Sequence, residues 1–384
     1  VRAVLAEYGP AGVEVMEACK KANVALVVHF HGFDAYRDDV LNHYGEKYKE
    51  LFQVASKIVV VSTDMKEQLI RLGCPHDRIE FISYGIDREV FCPPASTKKR
   101  EHFIACGRFV AKKSPLNTLR AFAKVVEVHP TARLTFVGDG ELFDATVELA
   151  EALNLTKQVD FKGVLNQDEV IEELQKHAIF IQHSIRTEQN DSEGTPLAIL
   201  EAASTGLAIV STKHAGISDV IQDGESGFLV DEGDVQAMSE RMLQLLEHEE
   251  LQQQFGAKAR ATVLKNYGQS EYISQLQQVL EEAEPPPWKE SKWSVWRKRM
   301  MVFVVLFILA EVALRMVGYK PGVLEDFYYH RGKIEYDSLL YADEVGITHV
   351  VQGAQMITGG EVNSEGFFST CLLYTSPSPR DSSP

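Results

Sequence analysis

The sequence predicts an α/β architecture of the doubly wound type, in which parallel strands alternate with covering helices. Residues 1–283 contain short apolar runs, typical of strands buried on both faces, with helical periodicity between them. A basic, Pro-rich stretch, FCPPASTKKR, predicts a linker between two such domains, 1–95 and 96–283. The candidate strands are Val24–Phe30, Ile58–Val61, Phe103–Cys106, Leu134–Val137, Ile179–Ile181 and Ala208–Val210.

Helix signals lie between these strands. Ser62 is placed to cap a helix that ends at Gly73, with Pro75 just beyond it. In open sheets of this type, ligands bind beyond the carboxyl ends of the strands, so polar residues at those ends are the candidates for function. The other predicted helices are Pro115–Val128, Leu142–Leu153, Asp168–Lys176, Val235–Glu247 and Leu251–Leu264.

Composition excludes some classes of function. The 384 residues include 55 Asp and Glu against 39 Lys and Arg, which gives a net charge of −16. Such a charge argues against a nucleic acid partner held by its phosphates. The five cysteines are scattered and form no C-x-x-C pair, which predicts reduced thiols rather than a disulfide framework or a zinc site.

The stretch SEGTPLAILEAASTG places two carboxylates around a helix start. Thr195 is a suitable N-cap, Pro196 suits the first helical position, and the helix continues from Leu197. The free N–H groups of a helix N-terminus attract phosphate, while Glu193 and Glu201 could accept hydrogen bonds from hydroxyls on either side. A nucleotide sugar has this layout. The alternative is a capped surface helix with two solvated glutamates.

Two cations follow another predicted strand, in IACGRFVAKKSPLNTLRAF. Gly107 permits a tight turn, after which Arg108 and Lys113 project from the junction of strand and helix. Fixed cations at this position could bind a diphosphate and offset the charge of a leaving nucleotide. The alternative is that both are ordinary surface residues.

Two further junctions carry weaker signals. Gly138 and Gly140 in FVGDGEL would let a ligand approach the backbone, although the third glycine of a dinucleotide fingerprint is missing. The stretch HFHGFDAY places His29, His31 and Asp34 at the end of a strand. A histidine there borders the ligand crevice or has a purely structural role.

Taken in order, these motifs resemble glycosyltransferases of family 4. The set is H-G-x-D, G-I-D-x-x-x-F-x-P, G-R-x-x-x-x-K, G-D-G and E-x7-E, and it covers about residues 1–283. The resemblance implies a GT-B fold, with two Rossmann-like domains that face a cleft. The local sequences HFHGFDAY and EGTPLAILEAASTGLAIVSTKHAGISDVI are most similar to those of members that build exopolysaccharides or glycans like colanic acid.

The resemblance implies a role for each matching position. His31 and Glu193 would be the catalytic residues, beside the transferring sugar. Arg108 and Lys113 would bind the diphosphate, and Glu201 would hold the ribose. The complete donor-binding set implied in this way is Arg108, Lys113, Gly138, Gly140, Val164, Gly194, Thr195, Leu197 and Glu201.

The implied reaction transfers a hexosyl group from a nucleotide diphosphate sugar to a glycan or lipid-linked acceptor, with retention at the anomeric carbon. The sequence has no D-x-D motif, so no metal and no cofactor are expected. The alternatives are a nucleotide-sugar 2-epimerase of the same fold and a non-catalytic, membrane-anchored binder of sugar nucleotides. Nothing before His31 supplies the family's glycine-rich strand–loop–helix, so about half of the N-terminal domain is expected to be missing, which would compromise activity.

Composition changes at Glu284. Residues 284–299 form a Pro/Trp/basic linker that holds all three tryptophans, and 300–318 is apolar except for Glu311 and Arg315. This pattern predicts a transmembrane helix, which would anchor the enzyme at the cytoplasmic face of the inner membrane. The alternative is an amphipathic helix.

The remaining residues fall into two parts. Residues 319–370 resemble the entry region of membrane-bound SGNH-hydrolase-like proteins, which predicts the start of a truncated module outside the cytoplasm. Residues 371–384 have no periodicity, resemble a translated sequencing adapter, and are interpreted as an artefactual tail.

Overall fold

The computed structural model describes residues 2–94, 99–286, 300–306, 309 and 371–374. The described residues of 2–286 and 371–374 belong to one compact unit, and residues 300–306 and 309 belong to a second. The first unit contains two sheets, each with its own helices. They define an N-terminal half, built on residues 3–81, and a C-terminal half, built on residues 99–266.

The N-terminal half is a parallel sheet in sequential order. Its strands are β1 (Ala3–Glu7), β2 (Ala25–His29), β3 (Lys57–Val60) and β4 (Ile79–Phe81). Its helices are α1 (Gly9–Ala22), α2 (Phe33–Tyr36), α3 (Asp38–Val54) and α4 (Thr63–Arg71). The side chain of Ser62 accepts a hydrogen bond from the Met65 N–H, so its predicted role as the cap of α4 is confirmed.

The C-terminal half is a six-stranded parallel sheet in the order β10-β9-β8-β5-β6-β7. Its strands are β5 (Lys99–Cys106), β6 (Arg133–Val137), β7 (Val159–Phe161), β8 (His177–Ile181), β9 (Ala208–Thr212) and β10 (Phe228–Val230). Its helices are α5 (Pro115–Val128), α6 (Phe143–Ala152), α7 (Gln167–Lys176), α8 (Leu197–Ser204), α9 (Ile217–Val220), α10 (Val235–Glu247) and α11 (Glu249–Asn266).

Apolar clusters cover both faces of the C-terminal sheet. Phe103 and Ile179 belong to one cluster, whereas their strand neighbours Ile104 and Phe180 belong to the other. This alternation is what a parallel strand buried on both faces requires. The strand order reverses between β5 and β8, so the crevice beyond their carboxyl ends is the expected ligand site.

The final helix of this unit, α12 (Gln269–Glu282), returns to the N-terminal sheet. Leu280 and Ala283 join a buried cluster with Leu5 and Val27 of β1 and β2. Ser56 Oγ donates a hydrogen bond of 2.7 Å to the carbonyl oxygen of Glu284. A helix that follows the C-terminal half is therefore part of the N-terminal core.

The six predicted strands are all present, as β2, β3, β5, β6, β8 and β9. The short strands β1, β4, β7 and β10 were not predicted. Before His31 the structure has a strand–loop–helix of its own, β1 and α1. Gly9 and Gly12 pack there so closely that an added Cβ would lie 2.5 Å from the Phe30 ring and 2.9 Å from Val28.

The C-terminal predictions lie largely outside the described residues, which include neither 287–299 nor 319–370. Of the predicted transmembrane helix, 300–318, only residues 300–306 and 309 are described, and they are helical. Among the described residues, no helix is both long enough and apolar enough to cross a bilayer. Cys371–Tyr374, within the interpreted artefactual tail, form an antiparallel strand, β11, beside β1.

Candidate active site

The loops that follow β5 and β6 are held together by glycines. A Cβ on Gly138 would lie 2.1 Å from the carbonyl oxygen of Gly107, and one on Gly140 would lie 2.7 Å from that of Phe109. Both glycines also have positive φ angles, of 125° and 151°. The Gly138 N–H donates to the Gly163 carbonyl, so the neighbouring Val164, 77% exposed, lies at the rim of the same loop cluster.

The loop after β5 also presents the two predicted cations. Lys113 Nζ lies 3.3 Å from Oε1 of Glu193, which comes from the loop after β8. Arg108 is exposed and pairs with no other described residue. An anionic ligand placed between these loops could therefore pair with two cations. Arg108 is free to bind it, whereas Lys113 would bind it together with the Glu193 carboxylate.

Glu193 is a buried carboxylate with unused hydrogen-bonding capacity. The residue is 8% exposed, and its Oε1 makes no hydrogen bond to any described residue despite the nearby ammonium. Burial alone would raise the pKa of Glu193, but the charges of Lys113, Lys112 and His214 outweigh it and lower the pKa. An ionised oxygen that is held only by an ion pair with an ammonium 3.3 Å away can still accept a hydrogen bond from a ligand hydroxyl.

The loop that carries Glu193 is fixed from both sides. Lys112 Nζ contacts Asp191 Oδ1 at 3.0 Å and the carbonyl oxygen of Ser192 at 3.3 Å. On the other side, His214 Nε2 accepts the Glu193 N–H at 3.2 Å, while its Nδ1 donates to Glu232 Oε1 at 2.5 Å. No sequence motif marks these positioning contacts, so they were not predicted.

The helix that follows this loop corrects one prediction. Thr195 is not the N-cap of α8: its hydroxyl donates to the carbonyl oxygen of Val61, at 2.7 Å, in the N-terminal half. Pro196 occupies the cap position and provides no side-chain cap, which leaves the first N–H groups of α8 uncapped. Leu197, the first helical residue, is 45% exposed. Burial raises the pKa of Glu201, and the charge of Lys113 partly offsets this rise.

His31 extends from the N-terminal half at the end of β2. Its Nε2 is 2.5 Å from Glu7 Oε2, and its Nδ1 contacts the hydroxyl of Tyr84. The hydrogen bond from His31 and the neighbouring His29 imidazole outweigh the effect of burial and lower the pKa of Glu7 to about 2. Burial raises the pKa of Tyr84 well above its usual value. A carboxylate only accepts, so His31 donates from Nε2 and accepts from Tyr84 at Nδ1.

Asp34 of the H-G-x-D motif organises this loop from within. The residue is fully buried, and its carboxylate accepts the N–H groups of Gly9, His31 and Gly32 at 2.9–3.0 Å. It thereby ties the start of α1 to the loop that carries His31. Its function is to hold the backbone in place.

Backbone contact joins the two halves at the site. A Cβ on Gly194 would lie 2.5 Å from the carbonyl oxygen of His31, and one on Gly32 would lie 3.1 Å from that of Ser192. The two predicted catalytic residues, His31 and Glu193, therefore sit on loops in direct contact. Their roles, and those of the donor-binding set, stay predictions.

Glu7, His29 and His31 also offer one ligand atom each within 4.8 Å of one another. Two histidines and a carboxylate are a donor set that zinc uses. However, the Glu7–His31 contact is a hydrogen bond of 2.5 Å. In addition, His29 Nε2 makes no hydrogen bond to a described residue, so the outer contact that orients a metal-bound histidine is missing. The expectation that no metal takes part stays a prediction.

Comparison with known proteins agrees with this architecture. The amylovoran biosynthesis glycosyltransferase AmsK of Erwinia amylovora is 29% identical over 72% of this chain and 69% of its own. The UDP-Gal:alpha-D-GlcNAc-diphosphoundecaprenol alpha-1,3-galactosyltransferase of Escherichia coli is 30% identical over 57% of this chain. This chain spans 59% of that enzyme's length.

Solved structures share the fold. The structure of Anabaena HepE in complex with UDP and glucose superimposes with a TM-score of 0.63 at 18% identity, over 71% of this chain and 76% of that one. The predicted GT-B fold is thereby confirmed. Residues 88–262 match the family model described as glycosyl transferases group 1, and residues 4–90 match glycosyltransferase family 4. Residues 4–262 therefore carry the two glycosyltransferase domains that these family models describe.

Proposed function

We propose that the protein transfers a hexosyl group from a nucleotide diphosphate sugar to a glycan or lipid-linked acceptor during synthesis of a cell-surface polysaccharide. The observation that carries the proposal is Glu193, a buried, ionised carboxylate whose Oε1 accepts no hydrogen bond from any described residue. It lies beside Lys113, next to the uncapped start of α8 and in contact with the loop of His31. The names of AmsK and of the galactosyltransferase above support the choice of substrates.

In this proposal, the diphosphate lies between Arg108, Lys113 and the N–H groups at the start of α8. Glu193 binds hydroxyls of the donor sugar, and Glu201 binds the ribose. The bond from the anomeric carbon to the phosphate oxygen breaks, and a bond from that carbon to the acceptor oxygen forms. The acceptor's proton moves to the leaving phosphate oxygen on the same face, so configuration is retained. The cations and the helix terminus stabilise the departing charge.

We further propose that residues 300–318 hold the enzyme at the cytoplasmic face of the inner membrane, close to a lipid-linked acceptor. The composition of this segment and its Trp-rich, basic flank support this proposal. Flotation of the full chain with liposomes tests it, compared with a chain that ends at residue 286. Equal flotation of both chains would exclude this anchor.

The transferase proposal is tested by donor turnover. The full chain is incubated with UDP-, GDP- and ADP-sugars, and nucleotide release, sugar release and binding are measured. Glu193→Gln and Lys113→Ala should each lower turnover at least about 100-fold, whereas the exposed controls Glu148→Gln and Lys124→Ala should retain it. Binding without turnover would instead indicate the non-catalytic binder, and release of an epimerised sugar would indicate the 2-epimerase. Folded protein that binds no sugar nucleotide would refute the proposal.

A further inference from the structure

Glu7 is a charged group at the cleft that no motif singled out. It ends β1, and its side chain is 17% exposed. One oxygen, Oε2, receives the His31 hydrogen bond at 2.5 Å and lies 3.2 Å from His29 Nδ1. Within the described part of the chain, the contacts of this carboxylate with His31 and His29 are both made by Oε2 and none by Oε1. Half of the carboxylate is therefore available to a ligand.

The surroundings keep this carboxylate ionised. The pKa of Glu7 falls to about 2, because the hydrogen bond from His31 and the neighbouring His29 imidazole outweigh the burial of the carboxylate. A group with so low a pKa is a strong hydrogen-bond acceptor but a poor base at neutral pH. It is suited to hold a hydroxyl rather than to remove the proton of that hydroxyl.

Tyr8 places Glu7 close to the donor site. Burial and the charges of Asp34 and Glu7 raise the pKa of Tyr8, whereas Arg108 of the C-terminal half lowers it. The ring of Tyr8 also packs on His31, with the centroids 4.5 Å apart, and the carbonyl oxygen of His31 meets the loop of Glu193 at Gly194. Tyr8 also has a φ of 74°, which a non-glycine residue rarely adopts and which often marks functional sites.

Aromatic rings pack around His31, the hydrogen-bond partner of Glu7. The ring centroids of Tyr8 and His31 are 4.5 Å apart, and those of His31 and Tyr84 are 5.8 Å apart in a stacked arrangement. Aromatic rings close to one carboxylate suit a neutral sugar, whose C–H groups pack on rings and whose hydroxyls donate to the carboxylate. They do not suit an acid, since a second negative charge beside Glu7 would be repelled.

We propose that Glu7 binds a hydroxyl of the acceptor and selects a neutral sugar over an anionic one. This inference rests on the proposed transferase function. It specifies the class of acceptor: the sugar ring that receives the hexosyl group is neutral. Glu7 contributes an acceptor-binding contact from the N-terminal half, opposite the donor contacts of Glu193 and Lys113. The proton still leaves with the phosphate oxygen, so the stoichiometry of the reaction is unchanged.

The test compares matched acceptors. With the donor found in the turnover experiment, transfer to methyl glucoside, galactoside and N-acetylglucosaminide is measured against the methyl glucuronide and galacturonide. Donor hydrolysis without acceptor is measured in parallel. Glu7→Gln keeps the size and can still accept from His31, Glu7→Asp keeps the charge, and Glu14→Gln is an exposed control on α1. Thermal unfolding shows that each variant is folded.

We expect the wild type to prefer the neutral glycosides. Glu7→Gln should raise the acceptor KM so that kcat/KM falls about 10- to 100-fold, with a smaller loss of donor hydrolysis, whereas Glu14→Gln should leave both within about twofold of wild type. Its preference for neutral acceptors should shrink about tenfold, and Glu7→Asp should retain the preference. A wild type that prefers uronides, a Glu7→Gln variant with unchanged acceptor kinetics, or an equal loss of donor hydrolysis would each overturn the inference. A wild type without any donor turnover would instead refute the transferase proposal itself.

Discussion

The α-carbon of Gly194 faces the carbonyl oxygen of His31 so closely that a Cβ on Gly194 would lie 2.5 Å from that oxygen. Gly194 follows the donor-side carboxylate Glu193, and His31 is the predicted catalytic residue of the other half. A glycine at this position therefore sets how closely the two halves approach. Its role does not depend on an unusual φ angle.

Gly194→Ala should separate the two loops while both sheets stay folded. We expect turnover to fall at least about tenfold, because displacements of about 1 Å at a reacting centre are costly. Nucleotide binding should fall less than turnover, since the other residues of the donor-binding set lie in the C-terminal half and keep their places. Calorimetric titration with the nucleotide and steady-state kinetics separate the two effects. Gly45→Ala, a glycine with no atom near its added Cβ, is the control, and equal kinetics for both variants would contradict this prediction.

Lys113 should stabilise the fold as well as bind the donor. Lys113→Met leaves the buried carboxylate of Glu193 without its nearest cation, so the free energy of unfolding at pH 7 should fall by about 2–4 kcal/mol. The pKa of Glu193 should rise in this variant, so the deficit should shrink as the pH approaches 4.5. Urea unfolding measures both effects. The double variant Lys113→Met/Glu193→Gln should recover most of the loss, and additive losses would show that the pair is not coupled.

How much the sequence reveals depends on the composition of each strand. The apolar runs at Val24–Phe30 and Leu134–Val137 were recognised because they contain β-branched residues and no Asp, Glu, Lys or Arg. Strands β4 and β7, IEF and VDF, each have a carboxylate at the centre of three residues, so they present no apolar run. Strand β1, AVLAE, contains two alanines and ends in the charged Glu7, so it was not recognised as a strand.

Sequence patterns also predict only part of the side-chain contacts in the site. Glu193 and Lys113 lie 3.3 Å apart, because both follow parallel strands at the point of strand reversal, and their roles stay predictions. Thr195 was predicted to cap the helix that follows it in the sequence. Its hydroxyl instead donates to Val61 in the other half, a partner that no local pattern can predict. Similarly, nothing local in the sequence connects His214 to the backbone of Glu193.

Asp34 should be a structural residue whose loss disables the site indirectly. Asp34→Asn replaces one accepting oxygen by an NH2 group, which would face backbone N–H donors of Gly9, His31 or Gly32. We expect the free energy of unfolding to fall by about 2–4 kcal/mol. Urea unfolding tests this, with the exposed Asp39→Asn as the matched control. A stability equal to that of the control would mean that the three hydrogen bonds contribute little.

His183 should make the protein less stable in mild acid. The residue is fully buried, its Nε2 accepts the Gly233 N–H at 2.8 Å, and its Nδ1 lies 3.1 Å from Met238 Sδ. Burial lowers the pKa of His183 to about 4, although Glu232 and Asp234 partly oppose this. Between pH 6.5 and 4 the unfolded chain therefore binds a proton that the folded protein excludes, so stability falls as the pH falls through this window.

The shift corresponds to about 3 kcal/mol, present above pH 6.5 and lost by pH 4. Urea unfolding at pH 7.0, 6.0, 5.0 and 4.5 measures this dependence. His183→Gln removes the titrating group. The free energy of unfolding of this variant should therefore depend less on pH over the same range, even if the variant is less stable than wild type at pH 7. His129→Gln, at the end of α5, should retain the wild-type slope. An identical slope in His183→Gln and wild type would show that other groups, such as the buried His29, cause the acid sensitivity.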